Sequence, residues 1–210
     1  MLGYIETNVS NTGSVVNAFR RVGVEPKRLS TAGEVEAAGA LILPGVGAFG
    51  DGIGGLQERG LIESIRRSVR GGTPIIGICL GMQLLAEASL EHGRHAGLGL
   101  VRGTVVPLSV DQPGYRIPNI GWNIVTPSKR ASLFDAGDHD RCYYFLHSYH
   151  LEPEDSDVVA ATFAFSGRSI VAAIESERIF GIQFHPEKSH DAGLDLLSRY
   201  LDRVRLLGKL

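Results

Sequence analysis

Residues 73 to 83 read TPIIGICLGMQ, an apolar, β-branched run that meets a glycine-spaced turn and then helix-forming residues. No other segment constrains the fold as much. The run has the length and composition of a buried strand, and the chain must reverse within Gly77-Ile78-Cys79-Leu80-Gly81. A Cβ at the flanking positions of such a strand-to-helix turn would clash, so glycines belong there. The turn lifts the Cys79 sulfur out of the sheet. It also aims the N-terminus of the following helix at that sulfur, where the dipole favours thiolate over thiol. An isolated cysteine is more often a small buried core residue; the two glycines turn the reading toward a nucleophile.

A nucleophilic thiolate needs a base, and the segment GIQFHPEKS (Gly181 to Ser189) supplies one. His185 and Glu187 follow a second strand-like run and are separated by Pro186, whose fixed backbone lets both side chains project from one strand end. This is triad logic, in which His185 shuttles the proton while Glu187 holds its tautomer and stabilises the imidazolium.

The third element is LILPGVGAFGDG, from Leu41 to Gly52. Gly45, Gly47 and Gly50 spell G-x-G-x-x-G, but a dinucleotide fingerprint belongs to a chain's first strand-helix unit, with an acidic residue ending a second strand about twenty residues on. Here the motif follows the third strand-like segment, and the region near position 65 is helical ESIRR. The segment reads better as an oxyanion strand, whose Val46 N–H joins that of Leu80 around a tetrahedral intermediate.

In this order the three segments resemble the class I glutamine amidotransferases, in which the nucleophile sits in G-x-C-x-G-x-Q, the histidine and glutamate in a late H-P-E, and the oxyanion strand in P-G-x-G. Within that family, PGVGAF, GICLGMQ, GWN (Gly121 to Asn123), FLHSY (Phe145 to Tyr149) and QFHPEKS are similar to the glutaminase subunits of imidazole glycerol phosphate synthase. The resemblance covers nearly the whole chain. It implies hydrolysis of glutamine to glutamate and ammonia by Cys79, His185 and Glu187, with no cofactor. It further implies that Gly47, Gln83, Ser148 and Tyr149 hold the substrate's amino-acid end. Ammonia would pass to a (β/α)8-barrel cyclase partner in a heterodimer, forming imidazole glycerol phosphate and an aminoimidazole carboxamide ribonucleotide in histidine biosynthesis. Trp122 and Lys188 match positions at the mouth facing the cyclase, and Asn11 matches an interface asparagine.

Composition narrows the alternatives. A 210-residue chain without a linker-like stretch reads as one glutaminase domain spanning 1–210. A net charge of −2 with mixed signs gives no basic footprint for nucleic acid. The N-terminal MLGYIETNVS lacks a positive n-region and a long apolar h-region, and no run of about eighteen apolar residues occurs, so a cytoplasmic protein is expected. Two cysteines fit a reducing compartment, with Cys142 expected as a buried strand thiol. The pairs His92/His95 and His147/His150 lack acidic or cysteine ligands nearby, and His147 and His150 are expected on opposite sides of one strand, so no metal site is expected.

Periodicity predicts an α/β fold with a mostly parallel central sheet flanked by helices and an antiparallel or mixed extension in the second half. Strands are expected near 2–6, 25–30, 40–44 and 74–79, with helices near 12–22, 53–70 and 80–89. The 53–70 helix carries Ile53, Leu56, Leu61, Ile65 and Val69 on its inward stripe. Strands near 101–108, 116–126, 141–149, 158–165, 170–175 and 178–184 and a helix near 190–207 complete the pattern.

Three departures from the family wording leave the triad intact: IETNVSNTGSV replaces the glycine-rich first turn, Asn119 stands for a histidine in YRIPNIGWN, and Phe165-Ser166-Gly167 stands for Y-G. They keep open a paralogous glutaminase serving another synthase, such as one amidating a nucleotide-linked sugar or surface polysaccharide. A non-catalytic regulatory subunit would have lost triad residues, and a stand-alone cysteine hydrolase would leave Gln83 and residues 147–149 without a role.

Overall fold

The structure, a computed structural model, describes residues 1–6, 12–128, 131–135 and 138–209. Its first half is β1 (Leu2–Ile5), α1 (Thr12–Arg21), β2 (Lys27–Leu29), α2 (Ala32–Ala37), β3 (Ala40–Gly45), α3 (Phe49–Glu58), α4 (Ile62–Arg70), β4 (Ile75–Cys79) and α5 (Leu80–Leu84). Then follow β5 (Ala86–Ser89), β6 (His95–Ala96), β7 (Val101–Pro107), β8 (Asn119–Ile124), β9 (Thr126–Pro127), β10 (Cys142–His147) and β11 (Tyr149–Pro153). Last come β12 (Val159–Phe165), β13 (Arg168–Ser176), β14 (Ile179–Ile182) and α6 (His190–Leu206).

The central sheet runs β2-β1-β3-β4-β14-β13-β12-β9. Pairing is parallel from β2 through β14 and antiparallel from there to β9, the expected α/β architecture. Its middle strands, ALILPG and IIGIC, are buried at every position because helices cover both faces. Two apolar clusters result: one under α1 and α6 around Phe19, Phe163, Phe180 and Tyr200, the other around Leu41, Leu56, Ile65 and Leu84 beneath α3 and α4.

Several expectations need correction. The 53–70 helix is two helices broken at Gly60, whose φ of +65° ends α3. Leu56, Leu61, Ile65 and Val69 still point inward, with Ile53 half-buried against the same cluster. The 80–89 helix stops after five residues, and its second half is β5. Local propensity loses there to long-range pairing: Leu98 N–H donates to Leu84 O, Gly99 N–H to Ala86 O, and the N–H groups of Leu100 and Val101 to Leu85 O. A dipole from one turn and a half has little to give the sulfur, so that part of the sequence argument weakens. Among the described residues, β13, β12 and β9 form the antiparallel extension of the central sheet beyond β14; β7 belongs to a small sheet ordered β11-β7-β5-β6, and β8 and β10 form a two-stranded ribbon.

The ribbon also corrects two side-chain expectations. Along β10, Tyr143, Phe145 and His147 are buried, so Cys142 shares the outward face and is exposed. His147 and His150 lie on different strands, β10 and β11, and both are buried. Among the described residues, no group of three or more His, Cys, Asp or Glu is placed to hold a metal ion, and no helix is long and apolar enough to cross a membrane.

Candidate active site

The site lies where parallel strands β3 and β4 end side by side, with Gly45 in register with Cys79. The C-terminal edge of a parallel sheet is where such folds open a crevice. Cys79 itself takes φ +53°, ψ −111°, a conformation L-residues rarely adopt, so the turn holds strain at the sulfur-bearing residue. The neighbouring glycines permit this by close approach. A Cβ on Gly81 would stand 1.7 Å from Leu43 O, and one on Gly77 would stand 2.6 Å from Gly81 O.

Cys79 opens into a cavity of about 250 Å³ lined by Val46, Gly47, Leu80, Gln83, Ser148, Tyr149 and His185, together with Glu91, Pro118, Leu146 and His147. The volume lies below the roughly 300–1,000 Å³ of drug-sized pockets and suits an amino acid. Every residue expected around the nucleophile from sequence lines this space except Glu187, which stands behind His185. His185 Nδ1–H donates to Glu187 Oε1 at 2.8 Å, and both side chains are almost fully buried. That bond turns Nε2 toward the cavity, where it has no hydrogen-bond partner among the described residues. Burial alone would drive the ring neutral, but the Cys79 sulfur and the Glu187 carboxylate together outweigh it and raise the imidazole to about 10. His185 therefore holds its proton beside the sulfur at neutral pH.

The backbone carrying this pair is stapled at two points. His185 N–H donates to Tyr144 O at 2.8 Å, and Ser189 Oγ–H donates to His185 O at 2.6 Å while accepting from Tyr144 N–H. Between them Pro186–Lys188 makes one 3-10 turn. Helix α6 presses against that turn so closely that a Cβ on Gly193 would lie 2.0 Å from Pro186 O.

On the far wall, Gln83 Nε2 donates to Tyr149 O at 2.9 Å and to Gln183 Oε1 at 3.0 Å. Both its N–H groups are thus used inward, and only Oε1 remains to meet a ligand, as an acceptor. Glu91 is a wall residue that no local pattern marks. Its Oε2 accepts from Phe49 N–H at 2.6 Å, capping α3 from 42 positions away, a contact only the fold creates.

His147 is tied by Nδ1–H to Tyr149 O at 2.8 Å and accepts from Asn119 Nδ2 at 3.1 Å, so Asn119 holds the ring from the facing strand. Burial holds this imidazole down at about 4. An unfolded histidine binds its proton near 6.5, so between pH 6.5 and 4 the unfolded chain takes up more protons and folding weakens as pH falls. The contribution is complete above 6.5, and its loss by pH 4 amounts to about 3 kcal/mol. Urea unfolding of wild type and His147→Asn should therefore show a steeper acid-side decline for wild type; parallel curves would contradict it.

Trp122 and Lys188 do not line the cavity; Trp122 is exposed, packs edge-on to Tyr144 at 5.9 Å and stacks on His190 at 5.1 Å. Lys188 Nζ stands 5.5 Å from the Tyr144 ring centroid. Asn11 lies outside the described residues.

Known proteins resemble this chain over nearly its whole length. The model of the family "Glutamine amidotransferase class-I" matches residues 4–201. The chain is similar to "Imidazole glycerol phosphate synthase subunit HisH" of Sulfurimonas denitrificans, 41% identical over 95% of this chain and 97% of that protein. It is equally similar to the protein of that name from Aquifex aeolicus, 41% identical over 97% of each. A solved structure titled "Crystal structure of glutamine amidotransferase" superposes with a TM-score of 0.75, at 19% identity, over 97% of this chain and 98% of that one, a likeness of fold. A strained cysteine at the end of a parallel strand and a match running almost end to end lead to one conclusion: the chain belongs to the class I glutamine amidotransferase family.

Proposed function

We propose that this chain is the glutaminase subunit of an imidazole glycerol phosphate synthase, acting as one domain over residues 1–210. The observation carrying the proposal is the amino-acid-sized cavity at Cys79, with His185 at its wall holding a proton and Glu187 behind. The names borne by relatives about 40% identical over nearly their full length supply the pathway.

The reaction follows from the atoms present. The Cys79 sulfur attacks the carboxamide carbon of glutamine, and the carbonyl oxygen becomes an oxyanion held by the N–H groups of Val46 and Leu80. The C–N bond breaks as His185 gives its proton to the departing nitrogen, releasing ammonia and leaving a thioester. Water then attacks the thioester carbon while His185 takes a proton from it, and the sulfur leaves as thiolate with glutamate as product. Glu187 keeps Nε2 of His185 facing the reaction throughout. The Glu91 carboxylate and Gln83 Oε1 are acceptors suited to the substrate's α-ammonium, beside Gly47, Ser148 and Tyr149.

Ammonia released into water is mostly protonated and loses its nucleophilicity, so a closed path to the (β/α)8-barrel cyclase is part of the reading. The outer face of the β8–β10 ribbon supports it. Ile120, Trp122 and Ile124 alternate along β8 with 60%, 47% and 53% exposure, and Leu146, directly across from Ile120, also lines the cavity. An apolar strip continuous with a reaction cavity is what a docking partner covers. Trp122 sits in the middle of the strip, and Lys188 shares its neighbour Tyr144. Ile120→Asp should raise the dissociation constant for the cyclase about 30-fold or more, read by calorimetric titration, with unchanged thermal unfolding of the free chain; unaltered affinity would displace the docking face.

The whole proposal is tested by mixing the chain with that cyclase, glutamine and the cyclase's nucleotide substrate, then comparing glutamate release with the isolated chain. Strong stimulation is expected. A flat response from folded protein would assign the chain to a different synthase.

A further inference from the structure

Behind the Cys79 sulfur lies a side chain that the triad does not include. Gln183 directly follows β14, is 0% exposed, and is fixed through its backbone N–H to Ala172 O at 2.8 Å. Its Nε2 donates to Cys79 Sγ at 3.7 Å, and its Oε1 accepts from Gln83.

A carbonyl sets the direction of this chain of bonds. Tyr149 O can only accept, so the Gln83 atom 2.9 Å from it carries hydrogens. The second N–H of that same nitrogen faces Gln183, which must answer with its oxygen. Only then can the Gln183 NH2 face the sulfur. Turned the other way, Gln183 would set NH2 against NH2 and its oxygen against sulfur lone pairs, both among buried side chains. The second group near the sulfur is Leu146 O, at 3.8 Å. It takes the proton of a thiol and repels a thiolate, whereas a locked N–H does the reverse.

We propose that Gln183 is a positioning residue that holds the Cys79 sulfur as a thiolate at the cavity wall and anchors it to the substrate-side pair Gln83 and Tyr149. The proposal rests on Cys79 being the nucleophile. A hydrogen bond to a charged acceptor is stronger than one between neutral groups, and its loss should slow thiolate chemistry roughly 10- to 100-fold.

The test is the rate of iodoacetamide alkylation at Cys79 in the full chain, read on the Cys79 peptide by mass spectrometry so that exposed Cys142 does not interfere. In Gln183→Met, of similar length without a donor, the rate at pH 6.5 should fall roughly 10- to 100-fold. At pH 9.5, where a thiol ionises without help, the variant and wild-type rates should converge. Equal rates at pH 6.5, or an equal deficit at both pH values, overturns the proposal. A wild-type Cys79 no faster than Cys142 at pH 6.5 would instead remove the nucleophile reading itself. Should Gln183→Met not fold, the wild type decides through NMR of glutamine side-chain amides. One buried amide pair is expected to shift on Cys79 alkylation and to titrate in parallel with the alkylation rate, and its absence overturns the proposal.

Discussion

Cys79→Ala should abolish glutamine hydrolysis in the assembled synthase, by on the order of 10⁴-fold or more, while ammonia supplied in solution still supports the cyclase reaction. The size follows from the proposed chemistry. Without the sulfur there is no thioester, and His185 is left without the nucleophile it serves. The backbone amides of Val46 and Leu80 would still polarise a bound carboxamide, so any residue of activity would come from them and from binding. The alanine also removes one of the two groups that keep His185 charged, the other being the Glu187 carboxylate, so the ring should titrate lower in the variant, an effect visible by NMR of the imidazole. Glutamate release within tenfold of wild type would end the nucleophile assignment, and loss of ammonia-driven synthesis would show that the variant had damaged docking instead.

Gly81→Ala should fail in a different way, by losing the fold. The added methyl carbon would sit 1.7 Å from Leu43 O, a backbone atom in the middle of the central sheet that no rotamer can move aside. Either β3 or the turn after Cys79 must shift, and the expected cost is about 4 kcal/mol or more. Thermal unfolding should drop by on the order of 10 °C, or the protein should accumulate insoluble. Gly54→Ala makes the control. It lies within α3, nothing stands within 4 Å of its added Cβ, and alanine is the better helix former, so that variant should be as stable as wild type or slightly more so. A Gly81→Ala protein as stable as the Gly54→Ala protein would refute the close-approach account of the turn.

These contrasts also explain what could be read from sequence. The turn around Cys79 was legible because its requirement is local: an apolar run, a strained residue, and glycines where backbones nearly touch. The pairing of His185 with Glu187 was legible for the same reason, since two residues across a proline cannot wander far apart. The capping box of α2 is equally local: Thr31 Oγ1 accepts from Glu34 N–H while Glu34 Oε2 accepts from Thr31 N–H. Other features had no local signal. Residues 86–89 look helical in isolation but pair with β7 and β6, and Glu91 is brought to the cavity by the connection between β5 and β6. Gln183 shows the intermediate case. It sits inside a recognisable stretch, yet its meaning depends on Gln83, a hundred positions earlier, and on a carbonyl at Tyr149. The exposure of Cys142 was a matter of parity, settled by which side of one ribbon faces the core.

That parity separates two kinds of inheritance in a single strand. On β10, every second side chain answers to the interior and the reaction, while Cys142 and Tyr144 answer to whatever lies outside, and Leu146 meets both. A lineage can rewrite the outward letters to court a new synthase while the inward letters, and the histidine they steady, stay as they were. An engineer could do the same, treating the ribbon as an adaptor plate and moving one glutamine-splitting centre between machines that have nothing else in common.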